Sequence, residues 1–392
     1  MRDVVILSAA RTPIGRFMGG LAPVPAPRLG SLAIAEAVRR AQVPPQRVDE
    51  VYMGNILSAG LGQAPARQAS LYAGLPNTVP ATTLNKMCGS GLKAVMLGAQ
   101  AIIAGDADII VAGGMENMSA APYLLDRARA GYRLGHATLV DSMIKDGLWD
   151  VYNDMHMGDC AELLVREHRI SREEQDAFAR RSYTRALAAI ESGHFRREIV
   201  PVEVSGDHGA ARVVTEDEEP RRFNPERLST LRPVFEDGGT VTVANASSIS
   251  DGAAAVVIAA AEAAQGLGAR PLARIVGQAV TATAPEWFTI APAAAIKRLL
   301  EKVGWTRDTV DLYEINEAYA AVVIAVARNV GLDMERVNVH GGAVALGHPL
   351  GASGARILTT LLHALQERNA RRGIAAVCLG GGEAVSLAIE RV

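Results

Sequence analysis

Cys88 stands in Asn85-Lys86-Met87-Cys88-Gly89-Ser90-Gly91, where a short strand pattern gives way to a long Ala-rich apolar helix. A thiol at a helix N-terminus feels unpaired N–H groups and the helix dipole, which favour the nucleophilic thiolate. Glycines at 89 and 91 remove Cβ atoms and let a substrate carbonyl approach backbone donors beside the sulfur. Far downstream come Gly347-His348-Pro349 and then Cys378 running into Gly380-Gly381-Gly382. Pro349 biases His348 to an extended backbone. Its imidazole can deprotonate a thiol or hold a thioester oxygen. Nucleophile, base and acid for thioester chemistry are thus all present. Each has a bland reading as well. A lone cysteine is often inert core, and Cys378, closing a buried-looking strand, fits that description on composition. Asn316, in Asn316-Glu317-Ala318-Tyr319, serves equally as a helix cap or as the anchor of a water in an oxyanion site.

The elements that must position these groups alternate. Residues 4–7, 50–53 and 108–112 read as strands, and 31–40, 64–73 and 92–103 as helices, the last apolar on nearly every face. Such alternation implies βα units and a largely parallel sheet. Between about 121 and 245 charges cluster and turns multiply, with an amphipathic helix over 173–191; this segment reads as an insertion lying over the core. The α/β character returns from 251. Val48-Asp49-Glu50-Val51-Tyr52 resembles Val310-Asp311-Leu312-Tyr313, and the strand at 109–114 resembles that at 375–381. These matches imply an internal duplication at a shift of roughly 262–267 residues. Cys88 and the His348 loop then fall at corresponding turns of the two halves, so pseudo-twofold packing would bring them to one seam.

At 392 residues the chain has ample length for a large core, and 49% apolar with 21% charged residues describes an ordinary globular protein. A net charge of −2 gives no general pull toward nucleic acid or anionic membrane. Three cysteines without a CxxC pair favour a reducing compartment, and the opening apolar run is too short for a signal peptide. A cytoplasmic location is expected. No GxxxxGK[ST], strand-linked GxGxxG, HExxH or CxxC motif occurs, so nucleotide hydrolysis, dinucleotide redox chemistry and zinc hydrolysis lose support, and no metal site is expected.

At the residues above, the chain resembles the thiolase family, specifically its acetyl-CoA acetyltransferases. The similarity runs nearly end to end. It includes Ala10-Arg11-Thr12-Pro13-Ile14-Gly15, the 62–69 segment, the Cys88 segment, Gly113-Gly114-Met115-Glu116-Asn117-Met118-Ser119, Asn245-Ala246-Ser247, Asn316-Glu317-Ala318, Gly347-His348-Pro349 and Cys378-Leu379-Gly380-Gly381-Gly382. The resemblance implies an α/β thiolase-like fold: two βαβαβαββ halves in five layers (α-β-α-β-α) with an inserted loop domain. The N-terminal half would comprise 1–120 plus about 246–270, the insertion 121–245, and the C-terminal half 271–392. It implies reversible Claisen condensation of two acetyl-CoA to acetoacetyl-CoA plus CoA, or thiolysis of a 3-ketoacyl-CoA, by ping-pong chemistry through acyl-Cys88. His348 would activate Cys88, and Cys378 would exchange the α-proton. Asn316 would fix a water beside His348 as one oxyanion hole, while the amides of Cys88 and Gly380 form the other.

CoA contacts are implied at Leu148, His156, Met157, Arg221, Phe235, Ser247, Ala318 and Tyr319. CoA thioesters are substrates, no further cofactor is implied, and the protein would be a homo-oligomer, a dimer or homotetramer. Departures from the family pattern are Ser248 in place of a usual glycine, and Trp287-Phe288-Thr289-Ile290-Ala291-Pro292 in place of a Met-Gly-x-Gly-Pro segment near the acyl pocket. Arg221 matches only across a one-residue gap, and Cys160 reads as a packed thiol. Two other classes compete: a decarboxylating ketoacyl synthase or hydroxymethylglutaryl-CoA synthase-like enzyme, opposed by Cys378, and a non-catalytic acyl-CoA-binding scaffold, opposed by the intact Cys88, Asn316, His348 and Cys378 set.

Overall fold

The computed structural model describes residues 2–205 and 211–392. Nine strands make the frame: β1 (Val4–Arg11), β2 (Glu50–Gly54), β3 (Ala81–Leu84), β4 (Ile109–Asn117), β5 (Ser250–Ala260), β6 (Ala273–Ala282), β7 (Leu312–Ile315), β8 (Arg372–Leu379) and β9 (Glu383–Arg391). They are hydrogen-bonded in the order β7-β8-β9-β6-β1-β5-β4-β2-β3. The order is symmetric about its centre. The five N-terminal strands and the four C-terminal ones are two half-sheets, joined where β1 meets β6 at Val5–Arg274 and Ile6–Ala273. An isolated bridge from Tyr313 to Val337 stands where β3 stands in the other half.

Parallel pairs occur where the βα alternation implies them, β2 with β3 and β4, and β7 with β8. The central pairs β4-β5-β1 and β8-β9-β6 are antiparallel; β9 returns directly from β8 by a tight turn, and β5 returns after the segment that carries α4 and α5. Strands β4 and β5 are buried along their whole length. That burial accounts for their Val, Ile, Ala and Gly runs instead of an alternating pattern.

Eight helices organise the layers: α1 (Ala26–Ala41), α2 (Pro65–Tyr72), α3 (Ser90–Ala104), α4 (Met157–His168), α5 (Arg172–Glu191), α6 (Ala291–Val303), α7 (Ala320–Val330) and α8 (Leu350–Glu367). Helices α1 and α2 cover one half-sheet and α6 the other, with α7 packed against α6, α4 and α5. Between the half-sheets lie α3 and α8, packed on each other and on strands of both halves. The α3 region has the length and apolarity of a membrane span, yet it is mostly buried as the central layer of the protein. Glycine makes that layer close. A Cβ at Gly91 would lie 2.8 Å from the Ala355 nitrogen, and one at Gly354 would lie 2.4 Å from the Leu92 nitrogen. The N-termini of α3 and α8 are therefore held side by side, and with them the Cys88 and His348 turns. The segment 121–245 supplies α4, α5 and small two-stranded hairpins, and among the described residues it gives no strand to the large sheet.

Candidate active site

Cys88 sits two residues before α3, directly after Met87, whose φ of 46° is unusual for a side chain of this kind. That strained turn aims the sulfur inward. Gly89 permits it: a Cβ there would meet Leu379 Cδ2 at 2.1 Å. The backbone N–H groups of Gly380 and of Cys88 itself lie where they favour the thiolate. The thiol is nonetheless pushed up to about 12, because burial outweighs those two donors. This reverses the expectation that the helix terminus would favour the thiolate in the resting protein: desolvating a charge costs more than a partial dipole returns.

His348 is buried, and its surroundings fix its tautomer. The Ser353 hydroxyl donates to the Pro349 carbonyl at 2.8 Å, so the 2.6 Å contact between His348 Nδ1 and Ser353 Oγ has Nδ1–H as donor. The lone pair then resides on Nε2, which lies 3.4 Å from Asn316 Nδ2. Burial, aided by the Arg356 charge, pushes the imidazole down to about 3, so it is neutral and able to accept a proton. The His348 N–H donates to the Ser248 carbonyl at 3.0 Å, and Ser247 Oγ donates to the Ala318 carbonyl at 2.9 Å. One short strap thus ties the histidine turn to the Asn316 turn.

Asn316 does not cap a helix. Helix α7 begins four residues later, with Tyr319 at its N-cap and no side-chain cap. Asn316 Oδ1 is buried and accepts no hydrogen bond among the described residues. Cys378, next to last in β8, is fully enclosed; burial, then Cys88, drives its thiol well up. Glu116, buried on β4, accepts from Ile56 N–H, Leu57 N–H, Asn55 Nδ2 and Gly351 N–H at 2.7–3.1 Å. It locks the start of α8 to the N-terminal half.

A cavity of about 480 Å³ opens on these groups, with Cys88, His348, Gly380, Leu148, His156, Met157, Phe235, Ser247, Ala318 and Tyr319 in its wall. His156 caps α4 through its ring nitrogen and stacks on Phe235 at 4.9 Å, while Tyr319 meets the same ring edge-on at 6.2 Å. Burial grades from Cys88 and His348 outward to exposed Phe17, Val243 and Arg222. Three of the expected residues, Asn316, Cys378 and Arg221, are not in the wall. Cys378 lies behind it. Arg221 points elsewhere and pairs with Glu216 at the surface, and Arg222 takes the place expected of it. Phe288, from the segment that departs from the family pattern, also lines the cavity; Trp287 does not. Ser353 and Glu116 were given no role by sequence reasoning, although each lies in a Gly-rich motif whose polar residue had to find a partner somewhere.

A cysteine at a strained turn, a neutral imidazole and an enclosed second thiol at the seam of a duplicated α/β fold define a thiolase-type site. Two family models match the chain, "Thiolase, N-terminal domain" over residues 4–262 and "Thiolase, C-terminal domain" over 269–391. The chain belongs to the thiolase family and is an enzyme of that family. It is 53% identical to the acetyl-CoA acetyltransferase of Pseudomonas aeruginosa over 392 residues, the full length of both. Among solved structures it matches a Bacillus anthracis acetyl-CoA acetyltransferase at TM-score 0.98 and 44% identity, covering 100% of this chain and 99% of that one. It also matches the Acat5 thiolase from Ascaris suum in complex with coenzyme A, at TM-score 0.95 and 44% identity, covering 100% of both.

Proposed function

We propose that the protein is an acetyl-CoA C-acetyltransferase that makes acetoacetyl-CoA and CoA from two acetyl-CoA, and cleaves 3-ketoacyl-CoA in reverse, through acyl-Cys88. The observation that carries this reading is the Cys88 sulfur facing a cavity that His348 also lines, with Nδ1–H held by Ser353 so that Nε2 is the nitrogen able to take a proton.

In the cleavage direction the Cys88 proton passes to His348 Nε2 and the sulfur attacks the 3-keto carbonyl. The developing oxyanion takes over the N–H groups of Cys88 and Gly380; one such donor contributes about 3–4 kcal/mol to a transition state. The C2–C3 bond then breaks. The departing acetyl-CoA enolate is held by protonated His348 and an Asn316-bound water, and takes its proton from the Cys378 thiol. That thiol starts protonated because burial keeps it so. Incoming CoA gives its proton to the Cys378 thiolate and attacks the acyl group. Cys88 leaves and recovers its proton from His348, which restores the starting site. Condensation is the same path reversed.

Leu148, His156, Met157, Phe235, Ser247, Ala318 and Tyr319 would carry the pantetheine and acyl portions, with Arg222 rather than Arg221 near the phosphates. CoA thioesters are the only small molecules the reading requires. We place the enzyme in the cytoplasm, since its three thiols are unpaired and two of them must stay reduced. Phe288 and Met157 narrow the cavity, which supports a short acyl chain. The test is thiolysis of acetoacetyl-CoA against longer 3-ketoacyl-CoA substrates. The highest kcat/KM is expected for acetoacetyl-CoA with a fall as the chain lengthens, and a preference for long chains would contradict the reading.

A further inference from the structure

Ser90 opens α3 and is fully buried, yet among the described residues its hydroxyl bonds to no N–H of the helix. A serine at a helix start ordinarily offers its oxygen to the free N–H groups of the first turn. Here the side chain reaches back instead. Ser90 Oγ donates to the Met87 carbonyl at 2.6 Å and accepts from the Lys86 N–H at 2.8 Å, so it spans the turn that delivers Cys88. That turn needs holding. Met87 has a φ of 46°, a conformation that a residue with a side chain keeps only where its surroundings overdetermine it. From the exposed side Asn85 Oδ1 accepts the Met87 N–H at 3.0 Å. From the buried side Ser90 is pressed against the end of β2, where a Cβ on Gly54 would come within 2.5 Å of Ser90 Cβ.

The other half of the molecule repeats the device. Ser353 is separated from Ser90 by the repeat shift of roughly 262–267 residues. Its hydroxyl donates back to the Pro349 carbonyl while its oxygen accepts the His348 Nδ1–H. Each serine stands one residue before the glycine, Gly91 or Gly354, at which α3 and α8 touch. We propose that Ser90 is a positioning residue for the reaction, doing for Cys88 what Ser353 does for His348: its hydroxyl keeps the Met87 turn closed, so that the sulfur faces the cavity at the angle acyl transfer requires. Ser90 does not line the cavity and acts through the Lys86–Cys88 backbone. Without the hydroxyl the Lys86 N–H loses its acceptor, and the Met87 carbonyl keeps only the Ser90 N–H at 2.9 Å. Met87 is then free to leave the left-handed region, which turns the sulfur off its line of attack while leaving it open to small reagents.

This inference rests on acyl-Cys88 being the intermediate, and the experiment separates the two. Three quantities would be measured per folded molecule, well below Tm, for the wild type, Ser90→Ala and Asn85→Ala. They are the burst of CoA released from acetyl-CoA, the rate of Cys88 alkylation by iodoacetamide followed by peptide mapping, and kcat and KM for thiolysis of acetoacetyl-CoA. Alanine removes one oxygen and is the better helix former, so Ser90→Ala should fold. Its acylation and kcat should fall about tenfold through misplacement of the nucleophile, with KM within about twofold and alkylation no slower than in the wild type. Asn85→Ala loosens the same turn from outside and should show the same split at about threefold. Acylation by Ser90→Ala within about twofold of the wild type would overturn the inference. So would acylation and alkylation falling by the same factor, since that is general loss of structure. If Ser90→Ala does not fold, Asn85→Ala decides: acylation lost with alkylation kept supports the inference, and both unchanged overturns it. No burst at all in the wild type would instead overturn the proposed function.

Discussion

At the scale of single residues, the resting site is a neutral thiol beside a neutral imidazole, since burial moves Cys88 up to about 12 and His348 down to about 3. Both shifts disfavour an ion pair, so the thiolate forms only when substrate arrives to receive it. Alkylation of Cys88 by a neutral reagent should accordingly keep rising between about pH 6 and 9; a plateau reached below neutrality would show a preformed thiolate–imidazolium pair instead. Cys378→Ala should still transfer the acyl group onto Cys88, seen as a burst of CoA released from acetyl-CoA. It should lose carbon–carbon bond formation and cleavage, and condensation at the wild-type rate would remove Cys378 from the mechanism. The residue types and their Gly-rich settings were legible in the sequence for Cys88 and His348. Two things were not. At Cys88 the cost of burying a charge exceeds what the helix terminus returns, and burial depth is not written in the local motif. Ser353, which decides which nitrogen of His348 is free, has meaning only once α8 brings its hydroxyl against the ring.

Among the elements, the decisive contact is the crossing of α3 and α8, where Gly91 and Gly354 let backbones touch. Valine at 354 must push Leu92 away. Overpacking of this kind costs about 1–3 kcal/mol, so Gly354→Val should lower Tm and separate the Cys88 and His348 turns. Its kcat should fall by more than the loss of folded protein explains, measured on the soluble fraction at a temperature well below Tm; unchanged kcat per folded molecule would mean the crossing does not set the site. Helices α1, α2, α3 and α5 and several βα strands could be read from periodicity, because α1, α3 and α5 carry long uninterrupted patterns; α4, α6 and α8 were not read. The edge strand β3 could not, being four residues of Ala, Thr and Leu with no alternation. The returning strands β5 and β9 were likewise hidden, since strands buried on both faces look alike whether their neighbours run parallel or antiparallel.

For the whole molecule, duplication explains why one seam gathers residues from positions 88, 316, 348 and 378. The shift of roughly 262–267 residues was visible in paired strand motifs, and it placed the two Gly-rich turns at equivalent points before any packing was known. What the sequence did not carry was the depth of the seam: Cys378 lies behind the cavity wall and Arg222, not Arg221, faces it, because one-residue differences in a turn decide which side chain points inward. Beyond the seam, the hairpin of strands Tyr123–Leu125 and Leu139–Asp141 exposes Tyr123, Leu125, Leu134 and Leu139 together. Such an apolar patch fits a homo-oligomer contact. Leu134→Lys with Leu139→Lys should reduce the mass seen by light scattering while leaving Cys88 acylation intact; an unchanged assembly would place the contact elsewhere. The central claim is that acyl groups pass through Cys88 at this seam. It is tested most directly by quenching the enzyme with acetyl-CoA and mapping the modified peptide by mass spectrometry. The account predicts one acetyl group on Cys88 in the wild type and in Cys378→Ala, and none in Cys88→Ser. An acetyl group on another residue, or a fully active enzyme that never carries one on Cys88, would contradict it.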